Sequence, residues 1–219
     1  TNTVQVISGT GAGNVSFSST IDGNYGLTAD AGTGSITFSG DIGATTGLSA
    51  LSVAGTNVAF DDIGDADTVG VAGTTSVTDS GTTTYNGTTY KSNIQQFSAA
   101  TSHSLVGGGS PITFTSSGDI AFSTSNIALS NGVNLSATST GGDIATNDIQ
   151  GTSAEDVTLN ANTNLEIGAI GDGTGVNDVS LTGSSIKFSG NIQTTSDDGS
   201  GDVSVNGDAF AKTDLSIDS

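Results

Sequence analysis

Carboxylates are the side chains in this chain whose type and spacing could do chemistry. DDIGDAD places Asp61, Asp62, Asp65 and Asp67 close together, GDGTGVND carries Asp172 and Asp178, and SDDGSGD carries Asp197, Asp198 and Asp202. Hard oxygen ligands on glycine-rich turns suit a divalent cation, Ca²⁺ above all. Neither the EF-hand spacing nor the nonapeptide glycine–aspartate repeat is present. Aspartate also favours turns for its own reasons. The nine residues therefore stand as candidate calcium ligands beside a plainer account, in which they shape turns and keep the surface soluble.

Other chemistries have less to work with. His103 is the sole imidazole, flanked by Ser102 and Ser104. Neighbours in a strand point to opposite faces, so no triad follows, and His103 is expected to be an exposed loop residue. Acid–base work on sugars needs placed carboxylates. Asp61/Asp62 and Asp197/Asp198 could supply a pair, but the chain has no Arg and no Trp, and Glu155 and Glu166 are its only glutamates. No catalytic residue is assigned and no cofactor is required; the expectation is a protein that is not an enzyme. A secreted carbohydrate-active β-helix, lyase or hydrolase, is kept as the alternative.

Charge narrows the partners. Three lysines against 22 acidic residues give a formal net charge of −19. Phosphate binding needs clustered cations, which excludes nucleic acid and disfavours an anionic membrane surface. No window approaches 18 apolar residues, so no helical span is expected. The opening TNTVQVISGTGAG has no basic n-region, no apolar h-region and no initiating Met. That predicts a processed product or a segment of something longer. Absence of Cys fits a secreted bacterial protein that buries enough core without staples.

The elements that must carry these residues are announced by a recurring phrase. It reads GNVSFSSTIDG, GSITFSGDIGA, TNVAFDDIGDA and, later, SSIKFSGNIQT. Its anchors are Val15/Phe17/Ile21, Ile36/Phe38/Ile42, Val58/Phe60/Ile63 and Ile186/Phe188/Ile192, and the first three copies start 21 or 22 residues apart. Self-similarity on this scale indicates a repeat architecture. Apolar and small polar residues alternate within each copy, as in strands with one buried face. Ser, Thr, Asn and Gly dominate and no 3.6-residue period appears, so no helix is expected. The near-constant spacing favours a parallel β-helix (β-solenoid) over an antiparallel sandwich, because equivalent residues of successive coils then stack. Phe17, Phe38, Phe60 and Phe188 should point inward.

Residues 74–110 break the rhythm. TTTYNGTTYK is nearly palindromic about Asn86-Gly87, a strong short-range hairpin signal. The segment also holds the His and leads to Pro111, the only proline. It is expected to be an irregular, hairpin-containing insertion within a single solenoid segment spanning 1–219. A regular T-x-T on successive coils is not apparent, and ice binding is set aside.

The phrases GSITFSGDIGATTGLSALSVAGTNVAF, VSLTGSSIKFSGNIQT and STGGDIATNDIQGTSAEDVTLNA resemble the repeat regions of filamentous-haemagglutinin-type giant bacterial surface proteins. The resemblance covers most of the chain outside 74–110. It implies a β-helical shaft segment of a secreted adhesin or filament, located outside the cell. Its partners would be further copies or coils of itself, joined covalently or head to tail, and a host or neighbouring-cell surface or glycan. The Asn-Pro-rich secretion domain of such proteins is not seen here. A subunit that polymerises by strand exchange is the third reading.

Overall fold

The computed structural model describes residues 2–107, 111–130, 132–152, 154–172, 174–195, 201–212 and 215–218. These residues form a parallel β-solenoid of about nine turns, with no helix among them. Each strand-to-strand ladder is parallel, and each joins a strand to one on the next coil. The coil has three sides. The first carries Thr3–Ile7, Gly26–Asp30 and Ala50–Gly55, and the second carries Val15–Phe17, Ile36–Phe38 and Val58–Phe60. The third begins as single bridges, Ile21–Ile42–Ile63, and becomes a full ladder from Thr89 onward through Ile112–Ser116, Leu135–Ser139 and Val157–Ala161. Thr89–Ala99 and Val179–Phe188 each run along the third side, turn the corner and continue along the first.

Alternation explains the burial. On the second side one inward column reads Val15, Ile36, Val58, Thr83, His103, Ile127, Ile149, Ile170, Ile192. Beside it runs Phe17, Phe38, Phe60, Tyr85, Leu105, Leu129. Phe38, Phe60 and Phe188 are fully buried, as their spacing predicts. Phe17 is only half-buried, because its first-coil ring is covered from one side, by Phe38 at 4.8 Å. The corners after Ile42, Ile63 and Ile170 are each made by a glycine in the left-handed region. At Gly43 a Cβ would lie 2.1 Å from the Gly70 carbonyl of the adjoining coil, so only glycine fits.

The 74–110 segment is not an insertion. Thr82–Tyr85 lies parallel between Val58–Phe60 and Ser102–Leu105, and Thr89–Ala99 lies parallel to Val71–Asp79. Asn86-Gly87 is a coil corner, not a hairpin tip. One oxygen of Asp62 accepts the Thr88 and Thr89 amides there, at 2.6 and 2.8 Å. The reason is burial. Parallel stacking hides both tyrosines, Tyr85 in the phenylalanine column and Tyr90 against Phe114, whereas a protruding hairpin would leave them wet. Coil length varies to allow this, from 20 residues between Thr82 and Ser102 to 25 between Asn57 and Thr82.

These middle coils bury polar groups where the others bury aliphatics. Thr75 and Gln95 pair on the first side in the column that Leu27 and Leu51 occupy. His103, expected to be exposed, is fully buried in the isoleucine column. Its Nε2 lies 3.3 Å from the Ser123 carbonyl and its Nδ1 3.4 Å from the Tyr85 hydroxyl. A carbonyl only accepts, so Nε2 carries the proton and Nδ1 accepts from Tyr85, which is the neutral ring. Burial pushes its pKa down to about 4.

Candidate functional site

Most carboxylates and amides at the corners serve the stack itself. Asn14 accepts the Ser35 amide at 2.9 Å, Asp22 those of Thr45 and Thr46, Asn57 that of Thr82 and Asp148 that of Ala169. Asn134, Asp156, Asp178 and Asp202 form a column in which each side chain accepts the backbone N–H of the next member. A corner leaves backbone donors without strand partners, and an Asx side chain reaching one coil along satisfies them. Asp178 and Asp202, two of the candidate calcium ligands, are thus rungs of this ladder. Asp65 is exposed and closes a local turn, its pKa lowered by the Thr68 and Asp67 amides. Asp172 is exposed and joins no cluster among the described residues. Asp197 and Asp198 lie outside the described residues.

One cluster does form. Asp41, Asp61 and Asp62 bring carboxylate oxygens within 4.8 Å of one another. Burial raises the pKa of Asp41, and the negative charges of Asp62 and Asp61 raise it further. Such a trio could hold a hard cation through oxygen. Sequence reasoning found Asp61 and Asp62 and missed Asp41. The signal was present: Ile42 and Ile63 bridge, so the residue before each, Asp41 and Asp62, must be neighbours on adjacent coils.

Glu155, fully buried, sits elsewhere. Desolvation pushes its pKa up, but donors from Thr152, Gly132 and Ala154 outweigh that and hold it below the ordinary carboxylate range. The amide of Gly132 lies 3.1 Å away and that of Thr152 2.6 Å. It is a tied-down structural anion.

A groove of about 390 Å³ follows the corner between the first and second sides. It runs from Ser123 and Thr124 past Thr146, Asn147 and Asp148 to Glu166, Ser189 and Lys212. Its cause is a small residue in a column of large ones. Phe97 pairs with Phe122, and the next inward slots hold Thr146, Ile167 and Phe188. Thr146 leaves a recess that Phe or Ile would fill. Along one wall Lys187 donates to Glu166 at 2.7 Å, while Lys212 lies 3.9 Å away. The Lys187 hydrogen bond is the main cause of the lowered Glu166 pKa. Two of the three lysines are therefore gathered at one carboxylate.

Fold and site together define a class: a three-sided parallel β-solenoid with an acidic Asx-laddered exterior and one polar corner groove. Compared with known proteins, the chain matches no family model, no curated protein and no solved structure.

Proposed function

We propose that the protein is a non-catalytic structural section of an extracellular bacterial filament or adhesin, akin to the filamentous-haemagglutinin type, that stacks on further β-coils. The carrying observation is the state of the two outermost coils. Leu27 is buried at 3% exposure, yet its first-coil counterpart Val4 is 46% exposed. At the other end Val205 and Ile217, which continue the buried Leu181 and Ile192 columns, are 36% and 48% exposed. These are inward-facing positions awaiting a covering coil. The same strands offer unpaired backbone groups, which pair readily with another chain. The covering coil is further sequence or an identical chain. A head-to-tail contact that does not close builds an open filament. The net charge of −19 opposes side-by-side bundling at low salt but leaves backbone pairing at the ends intact.

Sedimentation velocity with electron microscopy tests this at physiological salt. The expected result is end-to-end growth with concentration, seen as rods of increasing length. A monodisperse monomer whose Thr3–Ile7 amides exchange as slowly as those of Ile36–Phe38 would overturn it, since that requires a built-in cap. Dimers that survive dilution and have exchanged a terminal strand would instead support strand exchange.

The acidic corner belongs to the same reading. Ca²⁺ is expected to raise the melting temperature above Na⁺ at matched ionic strength, through Asp41, Asp61 and Asp62, because a ligand of the native state stabilises by mass action. Asp41→Asn should remove the difference. Equal melting in the two salts would leave these residues with turn and solubility roles alone.

A further inference from the structure

We infer that the corner groove binds a neutral oligosaccharide, its sugar rings laid along the rod axis between Thr124 and Lys212. The inference rests on the groove alone and does not depend on end-to-end stacking. The groove crosses five successive coils, and with strands ~4.8 Å apart its length is roughly 20 Å. An elongated site of that shape suits a short linear polymer better than a compact metabolite. Its volume falls among small-ligand sites of ~300–1,000 Å³.

The chemistry of the walls points to hydroxyl groups. Asn147 and Ser189 can both donate and accept, Asp148 and Glu166 accept, and Lys212 donates. Asp148 spends one oxygen on the Ala169 amide and Glu166 one on Lys187, so each carboxylate keeps an oxygen for a ligand. Thr146 supplies a second, independent sign. It is 7% exposed, lines the groove, and its Oγ1 has no hydrogen-bond partner. A buried hydroxyl without a partner is costly, and a ligand hydroxyl seated in the recess would satisfy it. Thr124, on the wall at the Ser123 end, is the only non-glycine among the described residues with positive φ, at 74°. For a β-branched residue that is a strained conformation, of the kind found at ligand clamps. Past the other end, Phe210 is 58% exposed, in line with Lys187 and Glu166. An open aromatic face there suits the C–H face of a sugar ring.

Charge selects the kind of saccharide. Two carboxylates line the groove, and the whole chain carries −19. That field repels uronic-acid and sulfated chains and leaves neutral ones unaffected.

Calorimetric titration of the intact chain at low and physiological salt tests the proposal, with cellotetraose, maltotetraose, mannotetraose and chitotetraose as neutral probes and tetragalacturonate as the acidic one. At least one neutral tetrasaccharide is expected to bind and the acidic one to fail. Glu166→Gln should weaken binding about tenfold or more. Thr146→Ile should abolish binding while raising the melting temperature, because it fills the recess and removes the unpaired hydroxyl. Absence of binding by every neutral probe at millimolar concentration would overturn the proposal. So would binding undiminished in both variants, or preference for tetragalacturonate. If Thr146→Ile misfolds, Glu166→Gln alone decides.

Discussion

Lowering the pH from 7 to 4 is expected to cost the protein about 3 kcal/mol through His103 alone, and His103→Ile to abolish that share. In the folded chain the ring is neutral, fully buried and titrates near 4. Unfolded, it titrates near its ordinary value of about 6.5. Between those values the unfolded state binds the extra proton, so stability rises with pH across this window and falls on acidification. Each pH unit inside the window is worth about 1.4 kcal/mol, which gives the total. Other groups act in both directions. Asp79 is held above the ordinary range by burial, against the Thr83 hydroxyl and Gly81 amide, so acid relieves a cost there. Asp143, with its pKa lowered by Thr163 and Asn164, loses stabilisation in acid. The measurement is therefore the difference between wild type and His103→Ile in denaturant unfolding, taken from pH 7 to pH 4. At pH 7 the variant should be close to wild type: isoleucine matches Ile127 below it, while the Tyr85 hydroxyl loses its acceptor. The curves should separate progressively below pH 6.5. Parallel curves across the window would mean that the histidine is solvated in solution.

The same histidine shows what the sequence made legible and what it hid. Val15/Phe17, Ile36/Phe38 and Val58/Phe60 stated the strand period and the coil length together, and the parallel solenoid follows from them. Thr83/Tyr85 and His103/Leu105 state the same pair of slots in less apolar letters. A hydrophobic pattern cannot register a buried threonine whose hydroxyl is satisfied by Asp79, nor an imidazole held by a carbonyl and a phenol. Local turn chemistry then filled the gap with a hairpin at Asn86-Gly87. What decides between hairpin and corner is Asp62 on the coil before, more than twenty residues away. The candidate site was hidden for the same reason. Asp41 meets Asp62 only through the Ile42–Ile63 bridge, and the groove exists because Thr146 faces Phe122 and Ile167 across coil boundaries. The calcium candidates Asp178 and Asp202 were correctly placed at corners, but their partners are backbone amides of neighbouring coils. Contacts one coil apart become visible only once each coil length is known, and the coil lengths vary.

Phe114→Ala is expected to destabilise the protein by ~3–5 kcal/mol, the range for emptying a buried phenylalanine site. Phe17→Ala should cost far less. Phe114 is where the aromatic residues of the middle coils converge. Its ring stacks on Tyr90 at 4.8 Å and meets Tyr85 at 5.2 Å and Phe122 at 5.0 Å edge-on. Rings in such geometries contribute beyond the area they bury, by ~0.5–1.5 kcal/mol per pair. This cluster also walls in the polar groups of the middle coils, since Tyr85 and Phe122 flank His103. A cavity there would admit water toward Thr75 and Gln95, whose unpaired oxygens would welcome it, so the loss belongs at the upper end of the range. Because each coil touches only its neighbours, the damage should stay local before it becomes global. Hydrogen exchange should quicken first at Thr82–Tyr85, Thr89–Ala99 and Ile112–Ser116, with Val157–Ala161 still protected. Phe17 lies in the first coil and stacks only on Phe38. Its truncation should leave the middle coils untouched. Denaturant unfolding of the two variants under one set of conditions decides the matter. Equal losses, or faster exchange that begins at Thr3–Ile7 in Phe114→Ala, would show that the stack does not have its keystone in the aromatic middle.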